Sequence, residues 1–452
     1  SDHEVNIKIL LNEVVAAEDM TAKQRNALLA SMTEEVASLV LANNYKQTQA
    51  ISLAEQQARQ AMAEYRRFIN SLESSGKLDR ALEFIPDDEQ LADRSAQGKG
   101  LTRPELSILI SYSKADLKQT LAASPITDDA YIGREIASAF PALLVEKYRD
   151  QLGEHRLRRE IIATQLANDL VNHMGITFLR RLEQSTGALP SDVARAYVVA
   201  RDVFRLRERF ASIEALDHQV PPEVQFDLMS DLVRLGRRAT RWFIRNRRRD
   251  LNPAQEVEHF APRIEALSRD FSSLFEGPVQ AIWQARFDGY RNAGVPEELA
   301  RFVAGTAHFY TMLGIIEAAE ATDSDVEHVA RVFFALGSEL QLPWFAQLIQ
   351  GLSVENHWQA LARESYRDDL DAQVRSMTVA ALQSAAAGAS VVETVEPWIE
   401  RNRLMVQRWH AMLVELKSAG AGDYPMVSVA IRELLDLAQS SRQAVSGAPC
   451  SS

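Results

Sequence analysis

Gly98-Lys99-Gly100-Leu101-Thr102-Arg103-Pro104-Glu105-Leu106-Ser107-Ile108-Leu109-Ile110-Ser111-Tyr112-Ser113-Lys114-Ala115-Asp116-Leu117 is the stretch on which the reading of the fold turns. Two glycines give a flexible entry, and a helix then starts with clear signals. Thr102 and Glu105 have capping-box spacing, and Pro104 falls in the first turn, where its missing N–H costs nothing. At about 100° per residue, Leu106, Leu109, Ile110, Leu117 and Leu121 share one face. Ile108 and Tyr112 lie almost opposite, which leaves a narrow solvated arc of Ser107, Ser111, Lys114 and Lys118. A helix apolar on most of its circumference packs among others, so this one is expected at the centre of a helical array. Gly98-Lys99-Gly100 also has the first two glycines of a dinucleotide-binding turn. Arg103 stands where the third belongs and no strand precedes, so the pair reads as a hinge.

Outward from there the chain keeps to one pattern. Its 452 residues hold only 19 glycines and 15 prolines, well below the usual joint share of roughly 12%. Helix formers fill the sequence, and no five-residue alternation flanked by turns is found. The expected fold class is therefore all-α, a bundle-like array with little or no sheet. Before the quoted stretch, helices are expected to about Ala17 (Val5, Ile9 and, one turn on, Leu10 and Glu13 as a face and its rim), from a Thr21 cap through Val40, and from about Thr48 to Leu72. The last carries Ile51, Ala54, Ala58, Met62, Tyr65, Phe68 and Ile69 as its stripe. Ser74-Ser75-Gly76 breaks the chain, and residues 73–100 read as a linker, with Asp87-Asp88-Glu89 a solvated loop and not a cation site. Beyond it, Gly175, Gly187, Pro190, Pro221-Pro222, Pro296 and Pro425 punctuate further helices. Ser324 and Glu327 have the spacing of a second capping box, and the tail from about 441 is expected to be poorly ordered.

Composition excludes several chemistries. The single cysteine, Cys450, leaves no disulfide framework or thiolate cage, and suits a reducing, cytoplasmic setting. No histidine pair has metal-ligand spacing, so no metal is expected. His308, among Phe309, Tyr310 and small residues, reads as a hydrogen-bonded core histidine before a general base. No run of about 18 apolar residues suggests a membrane-spanning helix. A net charge of −12 disfavours non-specific nucleic-acid binding.

One segment departs from that charge. Residues 231–250 hold eight arginines against two aspartates, a local +6. On a helix, Arg234, Arg237, Arg238, Arg241, Arg245, Arg248 and Arg249 fall within about 120°, opposite Leu228, Leu232, Leu235, Ala239, Trp242 and Phe243. The guanidinium face could meet an acidic partner or subunit, an anionic membrane or nucleic acid; pairing with carboxylates of this chain or another subunit is favoured, because Arg suits bidentate, buried pairing. No catalytic constellation is found.

Several segments carry a resemblance. Ser1-Asp2-His3-Glu4-Val5-Asn6-Ile7-Lys8-Ile9-Leu10-Leu11-Asn12 resembles the end of the catalytic domain of the large bacterial NAD-specific glutamate dehydrogenases. The stretch from Gly100 to Lys114, Asn168–Phe178, Arg238–Arg247 and Gly294–Ala300 are similar to the region that follows that domain. The resemblance implies that the chain is the C-terminal part of a longer polypeptide, a reading that its start at Ser1 suits. It implies a parent that oxidises L-glutamate to 2-oxoglutarate and ammonium with NAD, its catalytic lysine and aspartate and its nucleotide-binding fold lying before Ser1. Ser1 itself would match the serine of a Ser-x-x-Glu that contacts the substrate's distal carboxylate. Residues 1–95 would be return helices of the catalytic domain, and 96–452 a helical domain for assembly or regulation. Expected partners are that upstream domain and further copies of the chain. The rival expectation is a free-standing helical adaptor that docks an acidic partner through the arginine face.

Overall fold

In the computed structural model, residues 2–247, 251–354, 356–420 and 422–446 are described. Every regular element among them is a helix, α or 3-10, and none is a strand. By packing, the chain forms two compact units: residues 1–210 with 236–257, and residues 211–235 with 258–452. Helices on both sides of residue 95, Thr33–Gln57 and Arg103–Ala122, pack together within the first unit.

The first unit is built around the quoted stretch. Its helix, Arg103–Ala122, begins as the sequence signals: the Thr102 N–H donates to the Glu105 carboxylate at 2.7 Å. That carboxylate is itself buried and takes both its oxygens to the Arg94 guanidinium, at 2.8 and 2.9 Å. Leu106, Leu109, Ile110, Leu117 and Leu121 are all buried, each contributing about 1.5–3 kcal/mol by removal from water. They pack on Arg158–Met174 and on Thr33–Gln57. Gly100 has a packing reason: a Cβ there would lie 2.7 Å from Ala58 Cβ and 3.0 Å from the Ala58–Arg59 backbone. The glycine permits two chain segments to touch.

Lys114 departs from the expected solvated arc. It is half-buried, donating from Nζ to Gln47 Oε1 at 2.5 Å, and burial pushes its ammonium down to about 8. Below that value Lys114 is charged both folded and unfolded, and the fold carries the desolvation penalty. Between about 8 and 10.5 the unfolded chain holds the extra proton, so native stability rises with pH. Lys114→Met is therefore expected to stabilise the unit by on the order of 1 kcal/mol near neutral pH, a gain that fades toward about pH 10.5. Urea midpoints of both proteins at about pH 7 and about pH 10 check it; a pH-independent difference would refute it.

Elsewhere the faces match better than the bounds. The stripe from Ile51 to Ile69 is buried throughout, yet it lies on two helices, Thr33–Gln57 and Met62–Ser74, which part where Gly100 crosses Ala58. The first helix, Asp2–Ala16, buries Ile7, Leu10, Leu11 and Val14, whereas Val5 is exposed. Thr21 caps Ala22–Ser31 by a reciprocal pair with Gln24, 3.2 and 2.9 Å. The presumed linker contains a helix, Asp88–Ala96. Asp87 caps it by accepting from the Gln90 N–H at 2.8 Å, and Asp88 and Glu89 sit in its first turn, where carboxylates offset exposed amide groups. Phe178–Thr186 stops at Gly187, whose φ of +65° favours glycine.

In the second unit the longest helix, His357–Ser384, packs against Tyr424–Ser446, Thr311–Thr322 and Val326–Glu339. The cap of Val326–Glu339 is Asp325, which accepts from His328 N–H at 2.9 Å, and not Ser324. Asn402 separates Val391–Arg401 from Arg403–Ser418. The last helix continues to Ser446, so the tail expected to be loose from 441 is helical at its start; residues 447–452 lie outside the described residues. No single described helix is long and apolar enough to cross a membrane.

Candidate functional site

The arginine helix is Pro222–Arg247, and its guanidinium face is not one open surface. Arg241 is buried, its Nη1 donating to Ser185 Oγ at 2.6 Å and to the Ser185 carbonyl at 3.3 Å. Arg237 and Arg238 are half-buried, while Arg234 and Arg245 are exposed. Arg234 pairs with Asp231, one turn back. Arg247 pairs with Glu256 at 3.4 Å. Arg248 and Arg249 lie outside the described residues, as does Ser1. The face is partly enclosed because a further row, Gly236, Thr240 and Ile244, is buried beside the expected apolar side. A Cβ at Gly236 would come within 2.8 Å of Met174 and 3.0 Å of Leu206. Asp231, at first sight only an offset to the arginines, is buried and receives the Tyr290 hydroxyl at 3.0 Å and the Arg286 guanidinium. Burial and that carboxylate push the Tyr290 phenol up to about 12.

A denser polar cluster lies in the first unit, centred on Arg201, which is 2% exposed. The helix Pro190–Val203 ends at Phe204, and Arg205 turns the chain through φ +51° into Leu206–Glu214. That kink brings Arg201 and Arg207 to the same carboxylates. Arg201 donates to Glu135 Oε1 at 2.7 Å, Asp169 Oδ2 at 2.8 Å and Asp202 Oδ1 at 2.7 Å. Arg207 donates to Glu135 Oε2 at 2.9 Å and lies 3.2 Å from Asp169. The Tyr197 hydroxyl donates to Asp169 at 3.2 Å, and that of Tyr131 to Asp202 at 2.9 Å. His173, one turn after Asp169, sets Nδ1 3.1 Å from its Oδ1 and stacks on Phe210, ring centres 4.6 Å apart.

Burial pushes the Asp169 carboxyl up, but Arg201, His173 and Arg207 pull it further down, to well below the usual carboxylate range. Burial works against the Arg201 cation too, and Asp169, Glu135 and Asp202 outweigh it. Burial and the Asp169 charge drive the Tyr197 phenol up. Each buried carboxylate thus answers a guanidinium, and the cluster reaches solvent at its rim, through Arg207, Asp202 and Tyr131. The cluster is a clamp that ties Ile132–Ala139, Arg158–Met174 and Pro190–Val203 together. Sequence reading passed over these residues, although two signals were present. Asp169 and His173 sit four apart on a helix otherwise filled by Ile161, Ile162, Leu166 and Leu170, and Arg201, Arg205, Arg207 and Arg209 make a second basic cluster.

His308 is half-buried beside Phe271, Phe275 and Phe334, with ring centres 6.2–6.3 Å away. No group of three or more potential metal ligands occurs among the described residues. Gly98 follows the helix Asp88–Ala96 and not a strand.

Two family models match the chain. "Glutamate dehydrogenase, C-terminal" covers residues 98–436, and "Bacterial NAD-glutamate dehydrogenase, catalytic domain" covers residues 1–54. The chain is 59% identical to the NAD-specific glutamate dehydrogenase of Pseudomonas aeruginosa over 445 residues, 98% of this chain and 28% of that protein. It is 48% identical to the NAD-specific glutamate dehydrogenase of Halomonas elongata over 98% of this chain and 28% of that protein. For that of Mycobacterium tuberculosis the values are 33%, 99% and 27%. The chain therefore spans little more than a quarter of the length of the curated relatives it matches. With the C-terminal model running across most of its length, the chain belongs to the glutamate dehydrogenase C-terminal family.

Proposed function

We propose that this chain is the C-terminal helical portion of an NAD-dependent glutamate dehydrogenase, the parent enzyme converting L-glutamate, NAD and water to 2-oxoglutarate, ammonium and NADH. One observation carries the reading: the chain aligns over 98% of its length with NAD-specific glutamate dehydrogenases, yet with only 28% of theirs. Of the catalytic-domain model it meets residues 1–54 alone. On this reading the chain is not catalytic by itself. NAD and the acid–base residues belong to the part of the parent before Ser1, and Ser1 meets the substrate's distal carboxylate only in that setting. The helices after residue 98 serve assembly or regulation in a cytoplasmic homo-oligomer. The clamp around Arg201 supports a structural role, since its carboxylates are committed to guanidinium groups.

The reading is tested in the coding sequence upstream of Ser1. It expects, in the same frame, a strand followed by a glycine-rich turn and a helix, with a lysine and an aspartate suited to the acid–base steps. A start codon directly before Ser1 would overturn it in favour of the free-standing adaptor.

A further inference from the structure

From Thr21 to Gln49 the chain runs through Ala22–Ser31 and the first half of Thr33–Gln57, and Met32 is the one buried residue along the way. The helix Ala22–Ser31 buries nothing. A ten-residue helix gains little from its backbone alone, because nucleation is costly and helices shorter than about 12–15 residues are marginal in water. Its Thr21 cap alone does not hold it without a packed face. This segment is not a polar spacer either. Leu28 and Leu29 are half-buried, and Leu41 is 66% exposed. On either side the chain is packed: Ile7, Leu10, Leu11 and Val14 before it, and Ala50, Ile51, Leu53 and Ala54 after it.

The packing resumes at residue 50, and the catalytic-domain model stops at residue 54. The two observations are independent, one from burial and one from sequence similarity, and they fall about one helical turn apart. The uncovered segment lies wholly inside the part of the chain that resembles a catalytic domain, whose remainder is not in these residues. We infer that the helical segment of residues 21–49 is an interaction surface. Its occupant is the preceding part of the catalytic domain in the same polypeptide, which covers Leu28, Leu29 and Leu41. The inference rests on the parent-enzyme reading above and adds to it which residues carry the junction.

The test uses the full-length enzyme with a photo-reactive phenylalanine analogue at position 41, irradiated in a mixture of light and heavy-isotope-labelled protein. The expected result is a cross-link from position 41 to a peptide preceding Ser1, with both ends carrying the same isotope label. Cross-links to a second copy, links confined to residues 1–452, or no cross-link at all would overturn it. Hydrogen exchange gives the second readout: amides of Ala22–Ser31 are expected to be protected about 100-fold more in the full-length enzyme than in the 452-residue chain. Equal protection in both would also overturn it. Failure of the parent-enzyme reading would show separately, as absence of glutamate-dependent NADH formation by the unmodified full-length protein.

Discussion

Arg201→Met is expected to destabilise the first unit by on the order of 3–5 kcal/mol, because it leaves Glu135 and Asp169 buried with one guanidinium where there were two. Methionine fills much of the same volume, so lost packing is the smaller part of the effect. The acid dependence gives a sharper check. The Asp169 carboxyl sits well below its ordinary 3.8 in the fold, so its contribution is complete above that value and is lost as pH falls through the folded value. In Arg201→Met the main source of that depression is gone, so stability should fall less steeply on acidification and the deficit against wild type should narrow. Urea unfolding at a series of pH values measures both. A variant within about 1 kcal/mol of wild type, with the same acid profile, would show that the cluster is not a clamp.

Trp409→Ala is expected to cost the second unit about 3–5 kcal/mol through the cavity it opens. Trp409 is 1% exposed, meets Phe345 edge-on with ring centres 5.3 Å apart, and donates from Nε1 to the Leu340 carbonyl at 2.8 Å. Leu340 ends the helix Val326–Glu339, where carbonyls lack helical partners, so the indole also satisfies a group that would otherwise be orphaned. Trp409→Phe keeps a ring against Phe345 and loses the donor. Its expected cost is smaller, about 1–3 kcal/mol. Hydrogen exchange at the end of Val326–Glu339 distinguishes the two terms: loss of protection there in both variants reports the missing hydrogen bond. Equal costs for Phe and Ala would contradict the cavity account.

How far these features could be read from sequence depended on their range. The helix Arg103–Ala122 was legible because its cap, its proline and its leucine spacing are local, and all five expected core residues are buried. The stripe from Ile51 to Ile69 was legible as a face, but not as two helices: the break lies at 58–61, where Gly100 packs on Ala58, and a contact between distant segments leaves no mark in a local pattern. Asp87-Asp88-Glu89 read as a loop because three acids suggest solvation, whereas one caps a helix and the others complement its dipole. Periodicity placed the arginines on one arc. It could not show that Arg241 turns inward to Ser185, since that depends on what packs beside the helix. The cluster around Arg201 escaped for the same reason: Glu135, Asp169 and Arg201 are spread over three elements, and only the folded chain joins them. Family membership was more legible than chemistry, because the characteristic segments survive as strings of residues even where their contacts cannot be foreseen.

If, as proposed, this chain is a non-catalytic portion of a glutamate dehydrogenase, a spectrophotometric assay will show it. The purified 452-residue chain and the full-length enzyme are each given L-glutamate and NAD, and NADH absorbance is followed. Steady NADH formation is expected from the full-length enzyme, and none above the enzyme-free control from the chain. Sustained glutamate-dependent turnover by the chain at the rate of the full-length enzyme would contradict it.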